Sequence, residues 1–294
     1  MIVFRDVSEV PADFGTSVVA IGKFDGVHTG HRSVLQRAAV DAAGTGARVV
    51  AVTFDRNPLS ILHPEKCPES LIGLDHKLAL LADTGIDAAL VLRFDEARAA
   101  QEATDFVDEV LVGALSARTV FVGDDFRFGA GREGCFELLA QQPDMQTERT
   151  PSVIVEDIRT SSTAVRNALT DGSLAYAKKL LGHDYVLSGK VKHGKKLGRT
   201  INAPTANIQL PPHRYPLRGV FVIEADGAFG TRRGVASFGL NPTVSNNNSQ
   251  KLEVHLFDFD GNLYGQRLKV RFLHKLRDER KFSDIEALKR QIEQ

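Results

Sequence analysis

Two histidines, His28 and His31, lie in the run Gly22-Lys23-Phe24-Asp25-Gly26-Val27-His28-Thr29-Gly30-His31. Their spacing can aim both rings at one anion. The run follows Val18-Val19-Ala20-Ile21, which reads as a short buried strand, and precedes Val34, Leu35, Ala38 and Ala39, one apolar helical face. Where a strand turns into a helix, backbone N–H groups are unpaired and the helix end carries about half a positive charge. Gly26 and Gly30 let the backbone come close to a ligand. The chemistry expected here is nucleotide-phosphate binding, with His28 and His31 as working groups and Gly22, Phe24, Asp25 and Gly30 around the nucleotide.

Three further stretches carry polar groups in useful patterns. Thr205 and Asn207 are two apart, so on an extended segment both face one way and offer hard oxygen ligands to Mg²⁺ bridging ATP phosphates. Ahead of them, Gly194, Lys196 and Gly198 belong to a glycine-rich basic loop. In 252–257, alternation sets Glu253 and His255 opposite Leu252, Val254 and Leu256; alone, that is an ordinary exposed strand glutamate.

The elements that must position these groups fall into two patterns. Up to about residue 183, β-branched runs at 18–21, 49–54, 88–94 and 119–122 alternate with helical spacing at 33–43, 70–82 and 104–115, with 152–155 as one more candidate strand. Strands alternating with helices imply parallel pairing in an open, Rossmann-like α/β sheet, whose ligands sit beyond the carboxyl ends of the strands. A helix over 174–181 closed by Gly182 ends this region. From residue 184, short alternating runs separated by Gly, Pro and Asn imply an antiparallel barrel or sandwich. A closing helix is expected over 282–292, capped by Ser283 with Glu286. The expected domains are therefore 1–183 and 184–294.

More polar groups follow strands of the first domain. Asp55-Arg56-Asn57-Pro58 closes the second, and Asn57 can hydrogen-bond a phosphate or ribose. Asp125 follows the strand at 119–122 and can hold a ribose hydroxyl. Ser161, Ser162 and Thr163 precede a helix, where they suit capping and phosphate binding alike, with Arg166 reaching in from the first turns.

Composition narrows the partners. Lys+Arg and Asp+Glu both total 37, so the net charge is zero and no bulk polyanion is expected as the main partner. An RNA contact through 193–199 is disfavoured for the same reason. Two distant cysteines, Cys67 and Cys135, read as reduced thiols of a cytoplasmic protein. No apolar run has membrane-span length, and the amino end lacks a signal-peptide core.

The run at 22–31 resembles the His-x-Gly-His signature of nucleotidyltransferases. Its longer form is similar to that of the bacterial bifunctional riboflavin kinase/FMN adenylyltransferase (FAD synthetase) family. Further similarities are Val122-Gly123-Asp124-Asp125-Phe126-Arg127-Phe128-Gly129, Ser161-Ser162-Thr163 with Arg166, Pro204-Thr205-Ala206-Asn207, Asn241-Pro242-Thr243, Glu253 ahead of Asp260-Gly261-Asn262, and Leu276-Arg277-Asp278-Glu279. Arg56-Asn57 and Asn202-Ala203 depart from the family pattern.

The resemblance implies an N-terminal adenylyltransferase and a C-terminal β-barrel kinase. It implies phosphorylation of riboflavin by ATP to FMN, then adenylylation of FMN to FAD with release of pyrophosphate, both with Mg²⁺. It makes Glu253 the kinase base, Thr205 and Asn207 the metal ligands, Arg277 and Asn57 flavin contacts, and His28, His31 and Arg166 the adenylylation groups. Two alternatives compete: a kinase with a weakened adenylylation half, and a non-catalytic flavin- or nucleotide-binding regulator.

Overall fold

The structure is a computed structural model that describes residues 1–193, 204–240 and 250–279. The expected closing helix at 282–292, the loop holding Gly194, Lys196 and Gly198, the Asn202-Ala203 departure and the Asn241-Pro242-Thr243 motif lie outside the described residues. Two compact units are present: 1–68 with 73–164, and 69–72 with 165–294.

In the first unit, six strands form one sheet: β1 (Ile2–Phe4), β2 (Ser17–Ile21), β3 (Arg48–Phe54), β4 (Ala88–Leu92), β5 (Ala117–Gly123) and β6 (Gln146–Thr150). They lie in the order β1-β4-β3-β2-β5-β6, and all five ladders are parallel. Every residue of β2 and β4 is buried. That burial explains their unbroken apolar runs, since helices cover both faces of such a sheet. The principal helix, α1 (Thr29–Ala42), buries Leu35, Ala38 and Ala42. Leu74–Ala82 forms the later part of the helix expected over 70–82. The helix expected over 104–115 is a short α turn, Ala103–Phe106, running into a π-helix, Val107–Ala114, that buries Val107, Val110 and Leu111.

One strand is misplaced by the sequence pattern. The sheet's edge is β6, whose Gln-Thr-Glu-Arg-Thr sequence carries no apolar alternation. An edge strand paired on one side tolerates such polarity. The expected strand at 152–155 is instead half of a two-stranded ribbon, β7 (Ile154–Val155) with β8 (Ile158–Arg159). It turns through Glu156 and Asp157, both at positive φ.

The second unit is a closed barrel. Its strands are β9 (Val186–Lys192), β10 (Ala206–Gln209), β11 (Gly219–Gly227), β12 (Gly230–Leu240), β13 (Gln250–Leu256) and β14 (Arg267–Arg277). They close in the order β10-β13-β12-β11-β14-β9, with antiparallel ladders throughout. Leu187, Val191, Phe221, Ile223, Leu252 and Val254 fill the interior. The helix Leu174–Leu181, stopped by left-handed Gly182, belongs to this unit. So does the segment 69–72, which leaves the chain between β3 and β4. There Leu71 is fully buried, Tyr185 Oη donates to its carbonyl at 2.8 Å, and Glu69 pairs with Arg218.

Gly189 marks a close approach of β9 to β10. A Cβ there would lie 2.1 Å from the Gln209 carbonyl oxygen and 2.8 Å from Ile208 Cγ2. Gly189→Ala is expected to lower barrel stability by about 1–3 kcal/mol through overpacking. Urea unfolding checks this, and an unchanged midpoint would contradict it.

Candidate functional site

At the carboxyl end of β2 the chain leaves the sheet and makes an irregular turn. Gly22 N–H still reaches back to the Val52 carbonyl at 3.0 Å. Then Phe24 (φ 50), Gly26 (φ 82) and Val27 (φ 40) all enter the left-handed region. For Gly26 that conformation is free of strain, whereas for Phe24 and Val27 it costs about 1–3 kcal/mol each. Their burial, at 1% and 0% exposure, shows how they are held.

Other elements tie the turn down. Ser162 Oγ donates to the Asp25 carbonyl at 3.1 Å, and the Thr29 and Thr160 hydroxyls meet at 3.3 Å. Of the expected capping hydroxyls, Ser161 takes that role, its Oγ accepting from Ala164 N–H at 3.1 Å. Thus the motif at 160–163, remote in sequence, is packed on the motif at 22–31. Ser162 faces it, while Thr163 is exposed.

His28 caps α1, its Nδ1 accepting from His31 N–H at 3.3 Å. An accepting Nδ1 leaves the proton of neutral His28 on Nε2, so the cap itself fixes the tautomer. The two rings stack at 3.6 Å and 17°. Gly30 keeps space for this: a Cβ would sit 3.1 Å from His28 Cε1. Burial, reinforced by the neighbouring charge of His28, Lys77 and Lys23, holds His31 well below the ordinary histidine range.

Sequence reasoning missed Lys77. It lies on the buried face of the helix Leu74–Ala82 beside Leu80 and Leu81, and a lysine on an apolar stripe is the signal that could have found it. Its Nζ donates to the carbonyls of Phe54 (2.7 Å) and Lys23 (3.2 Å) and to Thr53 Oγ1 (3.1 Å).

The remaining expected residues of this half are placed as follows. Arg56 forms a two-pronged pair with neighbouring Asp55, whose other oxygen accepts from Phe94 N–H. Asn57 Oδ1 accepts from Leu59 N–H at 3.1 Å, capping a short turn. Asp125 is exposed and 3.8 Å from Arg159. Arg166 belongs to the second unit, where its Nε donates to the Glu69 carbonyl.

In the barrel, Glu253 of β13 lies across the ladder from Asn207 of β10 on one side and Ser237 of β12 on the other. All three alternate with buried neighbours, so they share the outer face. Lys251 Nζ holds Glu253 Oε1 at 2.7 Å, and Ser237 Oγ donates to Glu279 at 2.9 Å. Asn207 Oδ1 is buried and has no hydrogen-bond partner among the described residues, a state that an ion or a water would relieve. Thr205 is exposed two residues earlier.

A cleft of about 790 Å³ is lined by Thr205, Asn262, Leu263 and Tyr264 together with the inward-facing Ala206 and Leu256, so Glu253 and Asn207 are on the other face of the same strands. Tyr264 stacks on His193 at 3.8 Å. Arg277 ends β14, its Nη1 donating to the Asp278 carbonyl. Among the described residues no group of three His, Cys, Asp or Glu is placed to hold a metal ion.

The depressed His31 value has a thermodynamic consequence. Below about pH 6.5 the unfolded chain binds a proton at residue 31 that the folded chain refuses, so stability falls as pH falls, by up to about 1.4 kcal/mol per pH unit. The contribution is fully present above that pH. The His31→Ala protein should lack this slope in urea unfolding between about pH 7.5 and 5; equal slopes in both proteins would contradict the assignment.

Comparison with known proteins agrees with a sheet domain followed by a barrel domain. The FAD synthetase family model matches residues 10–164 and the riboflavin kinase model matches 181–294. The chain is 43% identical over 294 residues to the bifunctional riboflavin kinase/FMN adenylyltransferase of Escherichia coli K12, covering 98% of this chain and 92% of that protein. It is 40% identical to the protein of the same name from Pseudomonas fluorescens, covering 94% and 89%. A crystal structure titled as a macrolide-efflux protein from Streptococcus pneumoniae superposes with a TM-score of 0.84 at 29% identity, covering 99% and 96% of the two chains. No helix among the described residues is long and apolar enough to cross a membrane. A parallel sheet carrying the histidine turn, a closed barrel carrying the glutamate face, and both family models in that order place this chain in the bifunctional riboflavin kinase/FMN adenylyltransferase family.

Proposed function

We propose that the chain makes FAD in two ATP-dependent steps at two sites, and that the polar groups described above divide the work by the nature of the acceptor. The chain is a riboflavin kinase and FMN adenylyltransferase; its substrates are riboflavin, FMN and ATP. The observation that carries the division is the contrast between the sites. One presents helix-end N–H groups and imidazoles, the other a carboxylate beside an unsatisfied amide oxygen. The functional halves are assigned to 1–183 and 184–294, and the two free cysteines suit a cytoplasmic enzyme.

In the kinase half, the riboflavin hydroxyl must lose a proton as it attacks the γ-phosphorus of ATP. Glu253 accepts that proton, through the oxygen that Lys251 leaves open. The β–γ phosphoanhydride bond breaks and ADP departs. Asn207 Oδ1 and the Thr205 hydroxyl are hard oxygen donors on one side of the extended segment, and the orphaned state of Asn207 fits a cation there. Mg²⁺ bound by them would neutralise phosphate charge. Gly194, Lys196 and Gly198 are assigned to the ATP phosphates and Arg277 to the flavin.

In the adenylyltransferase half, the acceptor is already anionic, because a phosphate monoester's second pKa is about 6. No base is needed. An FMN phosphate oxygen attacks the α-phosphorus, the α–β bond breaks, and pyrophosphate leaves. His28 donates from Nε2, the position its capping role leaves protonated, and His31 supports the same anion. The α1 N-terminus supplies further positive charge, and for Arg166 the adenylylation role rests on its sequence motif alone. Gly22, Phe24, Asp25, Gly30, Asp125, Ser161, Ser162 and Thr163 surround the nucleotide. Asn57 contacts the flavin through its amide nitrogen, its oxygen being used by Leu59.

Separate assays test this. Glu253→Gln is expected to lower FMN formation about 10²–10⁴-fold while sparing FAD formation from supplied FMN. His31→Ala is expected to lower FAD formation about 10²–10³-fold while sparing the kinase. If both variants lose the same single conversion, the division is wrong. FMN accumulating without FAD in the unaltered protein would favour the weakened-adenylylation alternative raised by Arg56-Asn57.

A further inference from the structure

We infer that Lys77 is a positioning residue for adenylyl transfer: its ammonium holds the Lys23 peptide so that the Phe24 N–H of the histidine turn faces the nucleotide phosphates. The inference rests on the adenylyltransferase reading of that turn and adds to it a group outside the signature run.

The geometry is specific. Lys77 is only 8% exposed, and its nitrogen meets three oxygens: the Lys23 carbonyl, Thr53 Oγ1 and the Phe54 carbonyl. Thr53 Oγ1 itself donates to the Lys23 carbonyl at 3.2 Å, so it meets Lys77 as an acceptor. Three acceptors call for three N–H donors, which only the charged ammonium has; a neutral amine has two. A trans peptide places its C=O and N–H on opposite sides. Drawing the Lys23 oxygen toward the lysine therefore turns the Phe24 N–H away from it. Phe24, Gly26 and Val27 then run through left-handed φ. Val27 N–H closes the turn on the Phe24 carbonyl at 3.2 Å, and a turn of this kind makes a concave anion site. Lys77 thus joins the carboxyl end of β3 to the turn after β2, and fixes the orientation of the first peptide in it.

The charged and titratable groups facing Lys77 are Asp25 and Lys23 from the turn, the neutral His31 from α1, and Asp55 from the end of β3. Burial lowers Lys77 to about 8, against the opposing pull of Asp25 and Asp55. The ammonium form is therefore lost within an accessible pH range, whereas the lysine that faces Glu253 in the kinase half, Lys251, is partly exposed.

The test compares kcat/KM for FMN in FAD formation with riboflavin phosphorylation by the same full-length protein, from about pH 6.5 to 10. FAD formation is expected to fall above about pH 8 with no matching fall in the kinase. Lys77→Met should lower FAD formation about 100-fold at pH 7.5 and spare the kinase, and Lys77→Arg, permanently charged, should retain activity without the limb near pH 8. A profile flat to pH 10 in the unaltered protein overturns the proposal even where a variant fails to fold. So does Lys77→Met within about twofold of the unaltered protein. His31→Ala, run alongside, separates the two claims. If it abolishes FAD formation while Lys77→Met does not, only the lysine inference fails; if it leaves FAD formation intact, the reading of the turn fails with it.

Discussion

The adenylyltransferase half depends on one constraint: the peptide groups just past β2 must stay out of regular secondary structure and still be held still. A strand or helix would consume the N–H groups that an anion needs, whereas an untethered loop would not aim them. Side chains from elsewhere supply the tethers. Lys77 and Thr53 hold the Lys23 carbonyl, Ser162 holds the Asp25 carbonyl, and Thr160 meets Thr29 where α1 begins. The strain at Phe24 and Val27 is carried by complete burial of both side chains. His28 caps the helix, and that role dictates the proton position that the proposed phosphate contact requires.

The barrel solves a different problem with strand register. Side chains alternate across a strand, so a slip of one residue between β10 and β13 would turn Glu253 inward and put Val254 outside. The buried trio Leu252, Val254 and Leu256 makes that slip costly. Glu253, Asn207 and Ser237 are thereby lined up on adjacent strands by the same apolar residues that build the core. Positioning of the proposed base is a by-product of barrel packing.

These two mechanisms differ in how plainly they are written in the chain. The alternation of 252–257 displays the face of Glu253 directly, and the apolar runs of β2, β3 and β4 announce a parallel sheet. The strand-turn-helix context of His28 and His31 is equally local. Less visible is whatever arises through tertiary packing. The polar edge strand Gln146–Thr150 has no periodicity to find, because one open face removes the need for it. Residues 69–72 read as the start of a helix, yet they join the second unit, where Tyr185, Arg218 and Arg166 satisfy their polar groups. Arg56 and Asn57, departures from the family pattern, are absorbed by Asp55 and by the turn at Leu59. Lys77 is the intermediate case: its position on an apolar stripe is visible, but its three oxygen partners come from two other segments.

The central claim is that one polypeptide holds two ATP pockets, at the turn after β2 and on the outer face of β10 and β13. Hydrogen exchange with an ATP analogue whose β–γ bridge is a methylene, given with Mg²⁺ and riboflavin, tests it most directly, because neither reaction can then proceed. Two separate sets of amides should slow, one at 22–31 with 160–164 and the other at 205–207 with 258–264. Slowing confined to one set at saturating analogue would contradict the account.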